Sequence, residues 1–310
     1  MGERIFAIAM NTYREAVRGR VLHALLAFAL ATTGYSLVIA TLSLHQEPRV
    51  VADIGAASMS LYVIIVAIIL GATSLHREIE YKTIFPILAR PIRRHEYLVG
   101  KYLGMIATLT VFLAIDGGVI LALLAVEAGQ KASTIAIALG LLFALLAVAL
   151  VRARFTRVFV LIPWSFALFL SMAVLSAPAG PERQLVVASA ALAVCEVSII
   201  AAVGTLFASF SSPALTAVFT LGVFLVGRST DMLAKLPVRY FGQTVRDIGR
   251  GMAHVFPNLQ IYVPPRPLLL GQVSDVSLPR FLGTAASYAL FYSGALLVVA
   301  ALAFRKRDFQ

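Results

Sequence analysis

Two carboxylates sit inside long apolar runs: Asp116 in LAIDGGVIL and Glu196 in AVCEVSII. If those runs cross a bilayer, an ionised Asp at the centre costs about 2.5 to 3.5 kcal/mol on insertion scales, so each acid should face protein or water rather than lipid. Two roles are then open. The acids form the polar lining of a transport pathway, with Gly117 and Gly118 allowing local helix distortion beside Asp116. Alternatively they are structural, protonated or bonded to neighbouring hydroxyls such as Ser198 or Thr110, and this is the simpler reading.

Other chemistry-bearing types are sparse. His23, His45, His76, His95 and His254 are dispersed, with no HExxH or paired spacing, so no metal site is expected. Cys195 is the single cysteine, which excludes an intramolecular disulfide and a Cys-based zinc site. No GxxxxGK[ST] loop is present to cradle a nucleotide, and no GxSxG elbow to present a serine. Enzymatic chemistry is not expected of this chain, and any ATP-driven work on it has to come from another polypeptide.

The third concentration of polar chemistry is REIEYKTIFPILARPIRRHEYLVGKYLG, from Arg77 to Gly104, with six basic residues, three acids and two prolines. Tyr81, Ile84, Phe85 and Leu88 can share one face of a short helix while Glu78, Lys82 and Arg90 stay polar; Pro86 and Pro91 limit any helix to a turn or two. An ordinary positive loop need not carry that apolar cluster. A short amphipathic element is suited to docking in a partner's groove.

The elements that position these groups are membrane spans. The 310 residues are 60% hydrophobic and 13% charged, with mean hydropathy +0.90, about half the charge of a soluble domain. Runs of roughly 20 apolar residues lie at about 22–42, 54–75, 102–126, 133–151, 158–177, 185–207, 213–228 and 284–304. They are continuously apolar rather than alternating, which excludes a transmembrane barrel. The expected fold is an all-α polytopic bundle of about eight spans in a single domain, 1–310. The first run follows a charged, amphipathic lead and is read as a retained helix rather than a signal peptide.

Net charge is +11, and its distribution argues for membrane topology rather than nucleic-acid binding. Sixteen basic residues fall before the first span, between Arg77 and Lys101, at Arg152, Arg154 and Arg157, and at Arg305 to Arg307. The short opposite loops hold only Arg49, Lys131 and Arg183. Both termini are therefore expected in the cytoplasm, and 228–283, with seven basic residues, outside. In the N-terminal lead Phe6, Met10, Tyr13 and Val17 step by 4, 3 and 4, as in a basic amphipathic helix lying in the interface. Outside, Phe241, Val245, Ile248 and Met252 repeat that spacing, although Gly242, Gly249 and Gly251 weaken a helix there. VFPNLQIYVPPRPL is too proline-rich for helix or central strand. Trp164 and Tyr102, near span ends, read as interfacial anchors.

With these residues in view, Glu78, Thr83, Leu88, Ala89, Arg90, Pro91, Ile92, Arg94, Glu96, Tyr97, Leu98, Gly100 and Lys101 resemble the segment between the second and third spans of type-2 (ABC-2) ATP-binding-cassette permeases. The chain is similar to the subgroup labelled multicopper-enzyme maturation permeases. The N-terminal "elbow" (1–20), FASFSSPA at Phe207 to Ala214, the outer segment and FRKRDF extend the resemblance over most of the chain. Pro86 and an added hairpin at 133–177 depart from the six-span family pattern. The resemblance implies that 76–101 is a cytoplasmic coupling helix docking on a separate ATPase subunit through Glu78, Tyr81, Thr83, Ile84, Phe85, Leu88, Arg90, Pro91, Arg94, Glu96, Gly100 and Lys101. It implies ATP and magnesium in that partner and no cofactor in this chain, a homodimer or paired permease, export, and the cytoplasmic membrane of a prokaryote. Two other functions fit the residues: an ion-coupled carrier relaying through Asp116 and Glu196, and a non-transporting scaffold whose basic face recruits a protein or anionic lipid.

Overall fold

Apolar runs of span length have to satisfy their backbone internally, and every such run in this chain does so as a helix. The computed structural model describes residues 2–43, 46–80, 93–153, 157–272 and 277–305. Among them there is no strand, and twelve α-helices follow one another. These are α1 (Gly2–Val17), α2 (Arg20–Ala40), α3 (Glu47–Glu80), α4 (Arg94–Glu127), α5 (Ala132–Arg152), α6 (Leu161–Leu175), α7 (Pro181–Ala208), α8 (Pro213–Arg228), α9 (Thr230–Ala234), α10 (Val238–Val255), α11 (Arg266–Leu269) and α12 (Leu278–Arg305). Short 3-10 turns precede α6 and α7 and lie at Gln260–Tyr262.

Among the described residues seven helices are long and apolar enough to cross a membrane, so the chain is a multi-pass membrane protein. The eighth expected span, α8, has the expected bounds but only 16 residues, about 24 Å of helix against a hydrocarbon core of about 30 Å. Its end is met by chain folding back: Leu259 N–H donates to Gly227 O at 3.0 Å, and Leu259 is fully buried. The proline-rich stretch is thus a return into the bundle, and it does contain a 3-10 turn and the one-turn α11. Irregular backbone is tolerated at such depth where protein covers it.

The helices α3, α4 and α7 form the middle of the core, with Met59, Val63, Leu109, Leu113, Val186 and Ile200 all buried. Crossing of α3 and α7 is closest at Gly71 and Gly204, where a Cβ added to either would lie within about 3 Å of the other's Cα. Gly117 and Gly118 serve the same end: α4 stays helical through them, and they let Phe169 and Leu168 of α6 approach. The expected local distortion beside Asp116 is therefore corrected to close packing. Among α5 residues only Ile135 is buried, so α5 is an outlying helix.

The N-terminal helix, the start of α4 and the end of α12 meet at one end of the bundle. Gly100 at the start of α4 abuts Ile8 of α1, Tyr13 Oη donates to Val158 O at 3.3 Å, and the Tyr97 and Phe304 rings stack with centroids 6.4 Å apart. The start of α1 and the end of α12 therefore share an end. Within α1 the buried residues are Ala9, Thr12, Tyr13 and Val17 while Phe6 is 64% exposed, so only half of the expected stripe faces protein. At the far end α10 is broken by Gly242, whose φ of 77° lies in the left-handed region, and Val245 and Ile248 stay exposed. Trp164 and Tyr102 are corrected from interfacial anchors to bundle-internal residues: both are buried, Trp164 Nε1 donating to Leu142 O at 2.9 Å and Tyr102 Oη to Ser198 O at 3.3 Å.

Candidate functional site

Glu196 lies on α7, one of the three central helices, and is 1% exposed. Its partner is Arg228, the last residue of α8. Arg228 Nε donates to Oε1 at 2.7 Å and Nη2 to Oε2 at 2.9 Å, a bidentate geometry that a planar guanidinium matches. Nη2 also donates to Ser60 Oγ of α3 at 3.1 Å, so one cation ties three helices together. Ser198, expected as a partner of an acid, instead donates to Cys195 O, and Thr110 donates to Ile106 O. The sequence placed Arg228 in the outer segment, because apolar character stops there; nothing local signals a partner 32 positions back.

Asp116 is fully buried in α4, on a different face of the core. Thr33 Oγ1 of α2 donates to Oδ1 at 3.3 Å, and Oδ2 has no partner among the described residues. Both acids face protein, as expected. They are not brought together: among the described residues no side chain bonds both, and Arg228, the partner of Glu196, lines a cavity.

That cavity holds about 370 Å³ and is bounded by α3, α7, α8 and the return segment before α11. Asp53, Ala56, Ser60 and Ile64 present one helical face to it, at the i, i+3, i+4 spacing. Ser189 and Ala193 of α7, Phe224 of α8 and Tyr262 complete the wall. Arg228 lines it from below. Arg266 lines it at the far end, hydrogen-bonded to Asp53 of α3 and Glu182 of α7. Because Ser60 follows Asp53 by seven residues, the two arginine clusters are about 10 Å apart along α3. Among the described residues no group of three or more His, Cys, Asp or Glu could hold a metal ion.

No protein-family model matches the chain, and no curated protein matches it.

The described stretches that flank the expected docking segment, up to Glu80 and from Arg93, lie at the opposite, basic end. Tyr81, Thr83, Ile84, Phe85, Leu88, Arg90 and Pro91 are outside the described residues, as are the side chains of Glu78 and Arg94. Glu96, Gly100 and Lys101 are described, and all three are buried rather than presented to a partner. Glu96 accepts the Arg93 N–H at 3.2 Å, satisfying a donor that the helix start would otherwise orphan. Lys101 Nζ donates to Ser74 O of α3 at 2.6 Å and sits 5.7 Å from the Tyr97 ring centroid. Gly100 is the contact point of α1. Their place is corrected from the docking surface to the root of the stems that carry it.

Proposed function

We propose that this chain is the membrane-spanning permease subunit of an ATP-binding-cassette exporter, worked by a separate ATPase that docks between Glu78 and Arg94. The observation that carries the reading is the pair of stems. The helices α3 and α4 have 34 residues each, about 51 Å, some 20 Å more than the hydrocarbon core requires. They are riveted where they leave the bundle by Lys101 and Ser74, and braced by α1 through Gly100 and Gly104. A push on the loop they hold passes to α3, whose other half lines the cavity. Only a partner that binds two states differently can shift their populations, so such a load path is what an external motor needs.

The direct test is purification in mild detergent with identification of co-purifying chains. The expected outcome is a stoichiometric subunit with a phosphate-binding loop, lost or weakened at least tenfold by Arg90→Glu with Arg94→Glu while membrane insertion is kept. Unchanged association in that variant counts against the docking assignment. A proton- or cation-coupled carrier is the second reading, favoured by Asp116 Oδ2, which has no partner among the described residues. Against it, both oxygens of Glu196 are held by Arg228, which removes half of the proposed relay. Uptake into vesicles without ATP, driven by a proton gradient, would favour it.

A further inference from the structure

The cavity's walls are mostly apolar, but three of its polar groups have hydrogen-bonding capacity to spare. Most Ser and Thr hydroxyls in these helices donate to a carbonyl three or four residues back, as Ser58, Ser198 and Thr205 do. Ser189 Oγ makes no hydrogen bond among the described residues, and Ser60 Oγ only accepts, from Arg228. Arg228 Nη1 likewise has no partner among them, and the side chain is 24% exposed. A ligand group that meets these donors and acceptors replaces water on them and is oriented by the hydrogen bonds it makes.

Charge decides which ligand. Three lining residues are ionic, Asp53, Arg228 and Arg266, and their partners are Arg49, Glu196 and Glu182. Three acids meet three arginines, so the site is balanced without a ligand. An anion brought to Arg228 would leave a net negative charge beside Glu196 in a low-dielectric interior, and a cation would meet the guanidinium itself. The route in favours the same class. Leu61 lines the cavity and is 54% exposed, and Ala57 is exposed beside it, so the α3 wall opens on the flank of the bundle.

We propose that this cavity binds an uncharged, largely apolar molecule that places a hydrogen-bond acceptor against Arg228 Nη1 and further polar groups against Ser60 and Ser189. A volume of 370 Å³ suits a compact drug-sized molecule. That this molecule is the cargo rests on the exporter reading; that the site binds it does not.

The test uses the full chain in nanodiscs with Nile red, an uncharged dye bearing a carbonyl acceptor and an emission sensitive to polarity, and with anionic anilinonaphthalene sulfonate for contrast. Nile red should show a saturable component above partition into lipid, and the sulfonate none. Ala57→Phe and Ala193→Phe, which fill the cavity, should weaken it at least tenfold. Ser189→Ala, a change too small to threaten folding, should weaken it about threefold, as the loss of one neutral hydrogen bond does. Leu141→Phe on outlying α5 should change nothing. Size-exclusion profiles check that each variant is folded. Absence of a saturable component, equal binding in Ala193→Phe and Ser189→Ala, or tighter binding of the sulfonate would overturn the proposal. Dye binding with no co-purifying ATPase would leave the site standing and remove the exporter reading; an ATPase without dye binding would do the reverse.

Discussion

Breaking one half of a buried ion pair is costly because the other charge is left behind, whereas replacing both halves removes the problem along with the attraction. For Glu196 and Arg228 this gives a measurable asymmetry. Arg228→Met strands a carboxylate that is 1% exposed, and should lower stability by about 3 to 5 kcal/mol, a drop of roughly 5 to 10 °C in the midpoint of thermal unfolding in detergent. Arg228→Met combined with Glu196→Met should recover most of that loss. A double variant as unstable as the two single losses added together would mean that the pair is not coupled as its geometry requires. The same residues mark what the sequence discloses and what it hides. That Glu196 and Asp116 must face protein follows from the price of a carboxylate in hydrocarbon, and both do. Which residue satisfies them does not follow, because Arg228 and Thr33 are 32 and 83 positions away and no periodicity within one helix encodes a partner on another.

Individual helices were legible wherever an apolar run exceeded the bilayer, and their crossings were not. Gly71 and Gly204 illustrate this: each reads as a weak helix residue, about 1 kcal/mol worse than Ala, until the fold puts them back to back. A methyl group on either would sit about 3 Å from the opposing backbone, which cannot rotate aside. Gly71→Ala and Gly204→Ala should each destabilise the bundle by about 1 to 3 kcal/mol, and the double variant by less than their sum, since the first methyl already separates the helices. Gly34→Ala and Gly294→Ala provide the opposite sign. Nothing lies within 4 Å of a Cβ at either site, so both should be neutral or stabilising by the ordinary helix preference. Residual monomer after heating, read by size-exclusion chromatography, separates the two classes. Destabilisation by all four equally would place the effect in helix chemistry instead of the crossing. The shortness of α8 was legible in its run, 213–228, but what completes it was not: only the return of Leu259 to Gly227 explains where the remaining thickness goes.

At the scale of the whole molecule, the joining of α1, the start of α4 and the end of α12 at one end requires an even number of passages, so short α8 has to carry the chain across together with the return segment. Charge then orients the bundle. Arg4, Arg14, Arg18 and Arg20 lie on and just after α1, which packs on the start of α4 at Gly100 and Gly104, whereas the far end balances Arg49 and Arg266 against Asp53 and Glu182. An excess of Lys and Arg in short loops marks the cytoplasmic side. In a Cys195→Ser background, Arg18→Cys should react with a membrane-impermeant maleimide only after cells are permeabilised, because that exposed position follows α1 at the basic end. Lys131→Cys between α4 and α5, and Met232→Cys on α9, both exposed at the far end, should react in intact cells. Reversal of the whole pattern would invert the molecule and put the stems of α3 and α4 outside, beyond the reach of any cytoplasmic ATPase. A mixed pattern, with Lys131→Cys labelled and Met232→Cys protected, would contradict the even number of passages and mean that α8 turns back without crossing.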